Sequence, residues 1–190
     1  MPDFSKRPFL IGLAAAFIGN ALAQAAWALS YPQSAWTHLL FALFPTPVLI
    51  ETARLIALYV LFGAVGAGRG GLAFACGFAL VLCGAEGLGY YLQRGGGALA
   101  WIDLIGFVLA PLLALALHLF LSLTGVAIKA RSAPPMAIFC VLALIHGAHN
   151  GAMIAVVREL PLLAAMAIYL LGIAAYSALA FWLARGRQNA

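Results

Sequence analysis

Apolar residues run along this chain in long unbroken stretches, without the alternation of a half-buried strand or the one-sided stripe of a soluble helix. A helix needs about 20 apolar residues to cross a bilayer. Stretches of that length occupy residues 8–29, 36–65, 71–92, 98–128, 135–157 and 160–184. The breaks between them are short and collect glycine, proline and charge, as in SYPQS, GAGRGG, QRGGG and KARSAPP. The pattern predicts an all-α fold: a polytopic membrane bundle of about six transmembrane helices, forming one integral-membrane domain over residues 1–190. No break could hold a soluble domain. A membrane barrel would show alternating rather than continuous apolar runs.

Composition agrees with the pattern. Hydrophobic residues make up 66% and charged residues 8% of the chain, and the mean hydropathy of +1.08 lies far outside the range of soluble domains. The formal charge of +5 is a topology signal. With the N-terminus inside, the inner face receives Lys6, Arg7, Arg69, Lys129, Arg131, Arg185 and Arg187, and the outer face only Arg94 and Arg158. That bias follows the positive-inside rule and predicts cytoplasmic N- and C-termini. No basic, aromatic-interleaved patch points to nucleic acid. Lys6, Arg7 and the Ala21-Leu22-Ala23 triplet imitate a secretory signal, but the apolar run continues through Trp27 to Leu29 and suits a full span. Cys76, Cys83 and Cys140 lie in apolar runs at no metal-ligand spacing and read as small packing residues.

Against this background, four ionisable residues stand out, each in a different stretch: Glu51, Glu86, His118 and His146. A charged side chain at bilayer depth costs at least ~2.5 kcal/mol, so such residues usually face a cavity, a partner or a metal. In the second stretch, Pro45 and Pro47 flank Thr46 and predict a helix break. Glu51 and Arg54 follow, three apart and on one helical face, either as a structural ion pair or as a catalytic carboxylate with its orienting partner. In the third, Glu86 sits among Gly84, Ala85, Gly87 and Gly89, small residues that would admit a close neighbouring helix, with Tyr90 one turn on as a hydrogen-bond donor. In the fourth, His118, Ser122 and Gly125 form one polar stripe. In the fifth, His146 and Asn150 share a face, with His149 slightly round from them. One histidine on an apolar face is ordinarily a packing residue. Two on different helices, matched by two carboxylates, suggest a shared site. Straight helices would nevertheless leave these groups offset along the axis by an amount on the order of 10 Å.

The order of these motifs resembles the PrsW-like intramembrane proteases, relatives of the CAAX prenyl endopeptidases, and in particular their YhfC-type branch. The matching segments are PVLIETAR, GFALVLCGAEGLGYY, HLFLSLTG and HGAHN, spread over residues 44–154. The chain departs from the family at one position: where members carry two adjacent glutamates it has Ile50-Glu51. The resemblance implies hydrolysis of peptide bonds in membrane-protein or lipidated-peptide substrates, within a bacterial cytoplasmic membrane. Its catalytic set would be Glu51, Glu86, His118, His146 and Asn150, supported by Arg54, Tyr90, Ser122 and His149. Either glutamate would serve as general base. Asn150 would be a donor to the oxyanion. A divalent metal such as zinc could be held at Glu86, His118 and His146 (with His149 as a substitute for His146), although a glutamate-based mechanism would use the same residues without metal. The HEXXH signature of common zinc proteases is absent. Two further readings stay open: an inactive relative serving as a binding scaffold, which Ile50 would explain, and a small ion or proton transporter, which would string its polar groups along a path.

Overall fold

Two prolines determine how the second apolar stretch is built. In a computed structural model of the protein, which describes residues 6–30, 34–61, 69–94, 103 and 105–185, this stretch is two helices end to end. Helix α1 covers Lys6–Ser30; α2 (Ala35–Leu43) then opens on a capping box between Ser34 and Thr37. Phe44 turns the chain at φ −123° and ψ −69°, and α3 (Pro45–Ile56) starts with proline in its first turn. In a continuous helix the Phe41 and Leu43 carbonyls would receive the N–H groups of residues 45 and 47. Both are prolines and have none, so the ladder breaks where the sequence predicts it.

The remaining helices are α4 (Arg69–Arg94), α5 (Ala110–Ala130), α6 (Pro135–Glu159) and α7 (Leu162–Arg185). Two π-helical turns, Ala57–Leu61 and Ile105–Leu109, extend α3 and lead into α5. The second precedes Pro111, whose missing N–H interrupts the regular ladder. Six helical segments are long and apolar enough to cross a membrane, and there is no strand among the described residues. The all-α bundle expected from the hydrophobic pattern is the fold observed. Much of the SYPQS, GAGRGG and QRGGG breaks, and Arg187, fall outside the described residues.

Helix α5 is the most buried span and α7 the least. Around α5 pack α4, α6 and α7, while α1 lies against α4 and α3, and α6 covers α2 and α3. The close approach expected along Gly84 to Gly89 is not where the bundle is tightest. Gly84 and Gly89 face open space, and Gly87 makes only ordinary contact with Pro111. One tight crossing is between α1 and α4. There a Cβ on Gly12 would overlap the Phe74 carbonyl, and one on Gly77 the Phe9 carbonyl. On α4 the small residue at a close approach is therefore Gly77, half a helix earlier than the sequence suggested.

Candidate functional site

The buried face of α3 is Pro47, Ile50, Glu51, Ala53 and Arg54, while Val48, Thr52 and Ile56 are exposed. The 3.6-residue period thus turns both charges of this segment toward the bundle interior. Glu51 and Arg54 are each 0% exposed, with His146 at 3% and His118 at 5%. These four side chains form one hydrogen-bonded chain across three helices. His146 Nδ1 meets Glu51 Oε1 at 2.8 Å; Arg54 Nη1 bonds Glu51 Oε2; Arg54 Nη2 meets His118 Nδ1 at 2.9 Å. The guanidinium also lies over the Phe78 ring, 4.2 Å from its centroid, a cation–π contact that covers its apolar face. The two imidazoles stand edge to face with centroids 4.8 Å apart.

Donor and acceptor chemistry fixes the protons. Arginine only donates, so His118 Nδ1 accepts and its proton resides on Nε2. A carboxylate facing a guanidinium only accepts, so His146 Nδ1–H donates to Glu51, and in its neutral form the ring keeps a lone pair on Nε2. Neither Nε2 has a partner among the described residues. The cluster therefore offers the cavity beside it one N–H and one lone pair.

That cavity has a volume of about 590 Å³. Its lining comes from the later halves of α1 (Asn20, Gln24), α4 (Glu86) and α6 (His149, Asn150), and from the earlier halves of α5 (Ala110, His118) and α7 (Tyr169). It thus occupies one end of the bundle, the end where α1, α4 and α6 finish and α5 and α7 begin. Ile50, His118 and His146 line its floor, whereas Glu51 and Arg54 lie behind the histidines and do not reach it.

Glu86 is on the wall of the same cavity but outside the cluster. Antiparallel contacts between α4 and α5 provide a ruler: Phe78 is beside His118 and Gly87 beside Pro111. Pro111 and His118 are seven residues apart, so Glu86 stands about 10 Å further along the axis than His118. Tyr90 turns away from Glu86 and donates to Asp103 Oδ1 at 3.0 Å. Asp103 is a buried acid that the sequence reading passed over, although it is an acidic residue within the fourth apolar stretch.

Asn150 Nδ2 donates to the Ala42 carbonyl at 3.2 Å, and a Cβ on the neighbouring Gly147 would overlap the Leu43 carbonyl oxygen. The HGAHN segment therefore docks onto the broken end of α2, where Asn150 serves the Ala42 carbonyl. His149 Nδ1 lies 3.2 Å from the Tyr176 hydroxyl, apart from Glu51. Ser122 is fully buried one turn beyond His118, and among the described residues neither its hydroxyl nor Arg54 Nε has a hydrogen-bond partner. Cavity-lining residues missed in the sequence include Asn20, Gln24 and His38. Asn20 and Gln24 carried a usable signal: they are polar and four apart in an otherwise apolar first stretch.

A metal ligand set can also be tested against this geometry. Glu51, His118 and His146 each bring one ligand atom within 4.8 Å of the others, whereas Glu86 is not in that group. Two histidines and a carboxylate suit zinc. Here, however, Arg54 donates to both Glu51 and His118, so the guanidinium already supplies the positive charge. With its Nδ1 lone pair engaged, His118 carries its remaining proton on Nε2 and has no lone pair for a metal. The set in this arrangement does not fit a metal. The chain matches no family model, no curated protein and no solved structure.

Proposed function

We propose that the protein hydrolyses peptide bonds of membrane-associated polypeptides, with His146 as general base and no requirement for a metal. The observation that carries this reading is the pairing of a carboxylate-oriented imidazole with a second, arginine-oriented imidazole on the floor of one cavity. The order of motifs along the chain, which resembles the PrsW and YhfC-type proteases, supports the same reaction class.

In the reaction, water on the cavity floor attacks the scissile carbonyl while His146 Nε2 takes its proton. Glu51 accepts the Nδ1–H, holds the ring in that tautomer and stabilises the imidazolium that forms. The tetrahedral oxyanion receives the His118 Nε2–H, which Arg54 keeps directed away from itself. Collapse of the intermediate returns the proton from His146 to the leaving amine. Glu51 acts through His146 and is a positioning residue. Glu86, about 10 Å away along the axis, has no part in these steps.

The test is cleavage of single-span peptides by the purified protein in proteoliposomes. His146→Ala should lower the rate by about 10²–10⁴-fold. Glu51→Gln should lower it by a smaller factor, His118→Ala should raise the barrier without weakening substrate binding, and a zinc chelator should change nothing. A chelator-sensitive rate would overturn the metal-free reading, and full activity of His146→Ala would overturn hydrolysis at this site. The second reading, a binding protein without catalysis, is favoured by one observation: Ile50 lines the cavity floor where the resembling families place a further glutamate. Substrate binding without cleavage in the parent protein would select it.

A further inference from the structure

Among the described residues Glu86 is the one carboxylate lining the cavity, and it has no hydrogen bond or ion pair there. Glu86 is exposed, whereas the buried acids are engaged: Glu51 is held by Arg54 and His146, and Asp103 by Tyr90. No lysine or arginine among the described side chains lines the cavity. Lys6, Arg7, Arg69, Lys129, Arg131 and Arg185 lie at the starts of α1 and α4 and the ends of α5 and α7, which is the opposite end of the bundle, whereas Arg94 and Arg158 fall in the last turns of α4 and α6. Among the described side chains, none is placed to neutralise Glu86. On the same wall, Asn20 and Gln24 also make no hydrogen bond among the described residues, so their amides are free to meet a polypeptide backbone.

We propose that Glu86 is a specificity determinant: it recognises a positively charged side chain of the polypeptide whose backbone lies over His118 and His146. The separation sets the register. An extended backbone advances about 3.3 Å per residue, so the roughly 10 Å between Glu86 and His118 corresponds to a lysine or arginine about three residues from the scissile bond. The proposal rests on the hydrolytic reading for the position of that bond, while the recognition itself is tested without cleavage.

The experiment measures binding of fluorescent single-span peptides to the protein in nanodiscs of zwitterionic lipid, where headgroups carry no net charge. Three peptides differ at one position three residues from a central Gly-Gly: lysine, its uncharged near-isostere norleucine, or glutamate. The set is made with that position on either side. The parent should bind one of the lysine peptides about tenfold more tightly than its norleucine counterpart, the order expected of an ion pair in a partly desolvated site. Glu86→Gln should abolish the preference, Glu86→Lys should reverse it toward glutamate, and Glu86→Asp should keep its sign should the other variants fail to fold. Equal binding of lysine and norleucine by the parent would overturn the proposal, as would a preference that persists in Glu86→Gln.

A cleavage assay run in parallel separates this inference from the one beneath it. If the lysine preference depends on Glu86 but no peptide is cleaved, recognition stands and hydrolysis falls. Cleavage of all three peptides at one rate, with no binding preference, would leave hydrolysis standing and remove Glu86 from recognition.

Discussion

The floor and the wall of the cavity treat charge in opposite ways. On the floor, every charged or imidazole group contacts another: Glu51 with His146 and Arg54, and Arg54 with His118 and the Phe78 ring. On the wall, Glu86 stands alone in the same cavity. A buried ion pair contributes little net stability, because desolvation offsets the attraction, yet removing one member is destabilising. The floor is thus a fixed piece of the fold, its protons set before any substrate arrives. Glu86 is held by no partner among the described residues and faces the cavity, where a ligand can meet it.

The contrast breaks most visibly at Arg54. Arg54→Ala leaves Glu51 and His118 buried without their shared donor and should destabilise the bundle by about 3–5 kcal/mol. The paired replacement Glu51→Leu with Arg54→Met removes both charges together, and its thermal midpoint in micelles should recover most of that loss while any hydrolysis disappears. If Arg54→Ala melts with the parent, the floor is no structural unit and the comparison fails. A smaller effect is expected at the junction that carries His146 to the floor. Gly147→Ala would drive a methyl group into the Leu43 carbonyl. It should cost about 1–3 kcal/mol, with His146 displaced from Glu51 as its helix retreats. An unchanged unfolding curve would show that α6 is not seated on the broken end of α2.

The number and nature of the helices were legible in the sequence because bilayer thickness imposes a run length that composition cannot disguise. The break in the second span was equally legible, since Pro45 and Pro47 lack the donors a helix requires. Glu51, Arg54, His118 and His146 were legible as ionisable residues in apolar runs, but Asn20, Gln24 and His38 on the cavity lining were passed over, and so was the division between floor and wall. Glu51 and Glu86 look alike in sequence: each is a single acid in an apolar run. What separates them is the crossing of α4 against α5, which puts Phe78 level with His118 and leaves Glu86 two turns beyond. Sequence spacing within a helix gives faces, whereas axial level between helices depends on packing. The same limit explains why the close approach of α1 and α4 was misplaced. Gly12 and Gly77 differ from Gly84 only in what lies opposite them.

At the flank of the cavity end, Tyr90 and Asp103 form a further paired group. Tyr90→Phe removes the hydroxyl and leaves a buried carboxylate one donor short, which should cost about 1–3 kcal/mol, a smaller loss than at Arg54. A thermal midpoint equal to that of the parent would mean that Asp103 is sustained by its other contacts.

The smallest effect expected is the most informative about the wall. Glu86→Gln keeps the shape of the side chain and removes its charge. Because no local cation loses a partner, the stability should move by no more than about 0.5 kcal/mol, in contrast to any single substitution on the floor. The measurement is the unfolding midpoint of the variant in the micelles used for Arg54→Ala, so that the two values share one reference state. A near-zero change at Glu86 beside a large one at Arg54 establishes that the two acids play different parts in the fold despite their similar sequence settings. A loss of several kcal/mol at Glu86 would mean that its carboxylate has a structural partner. The wall would then be as fixed as the floor, and the case for a ligand-facing charge would close with it.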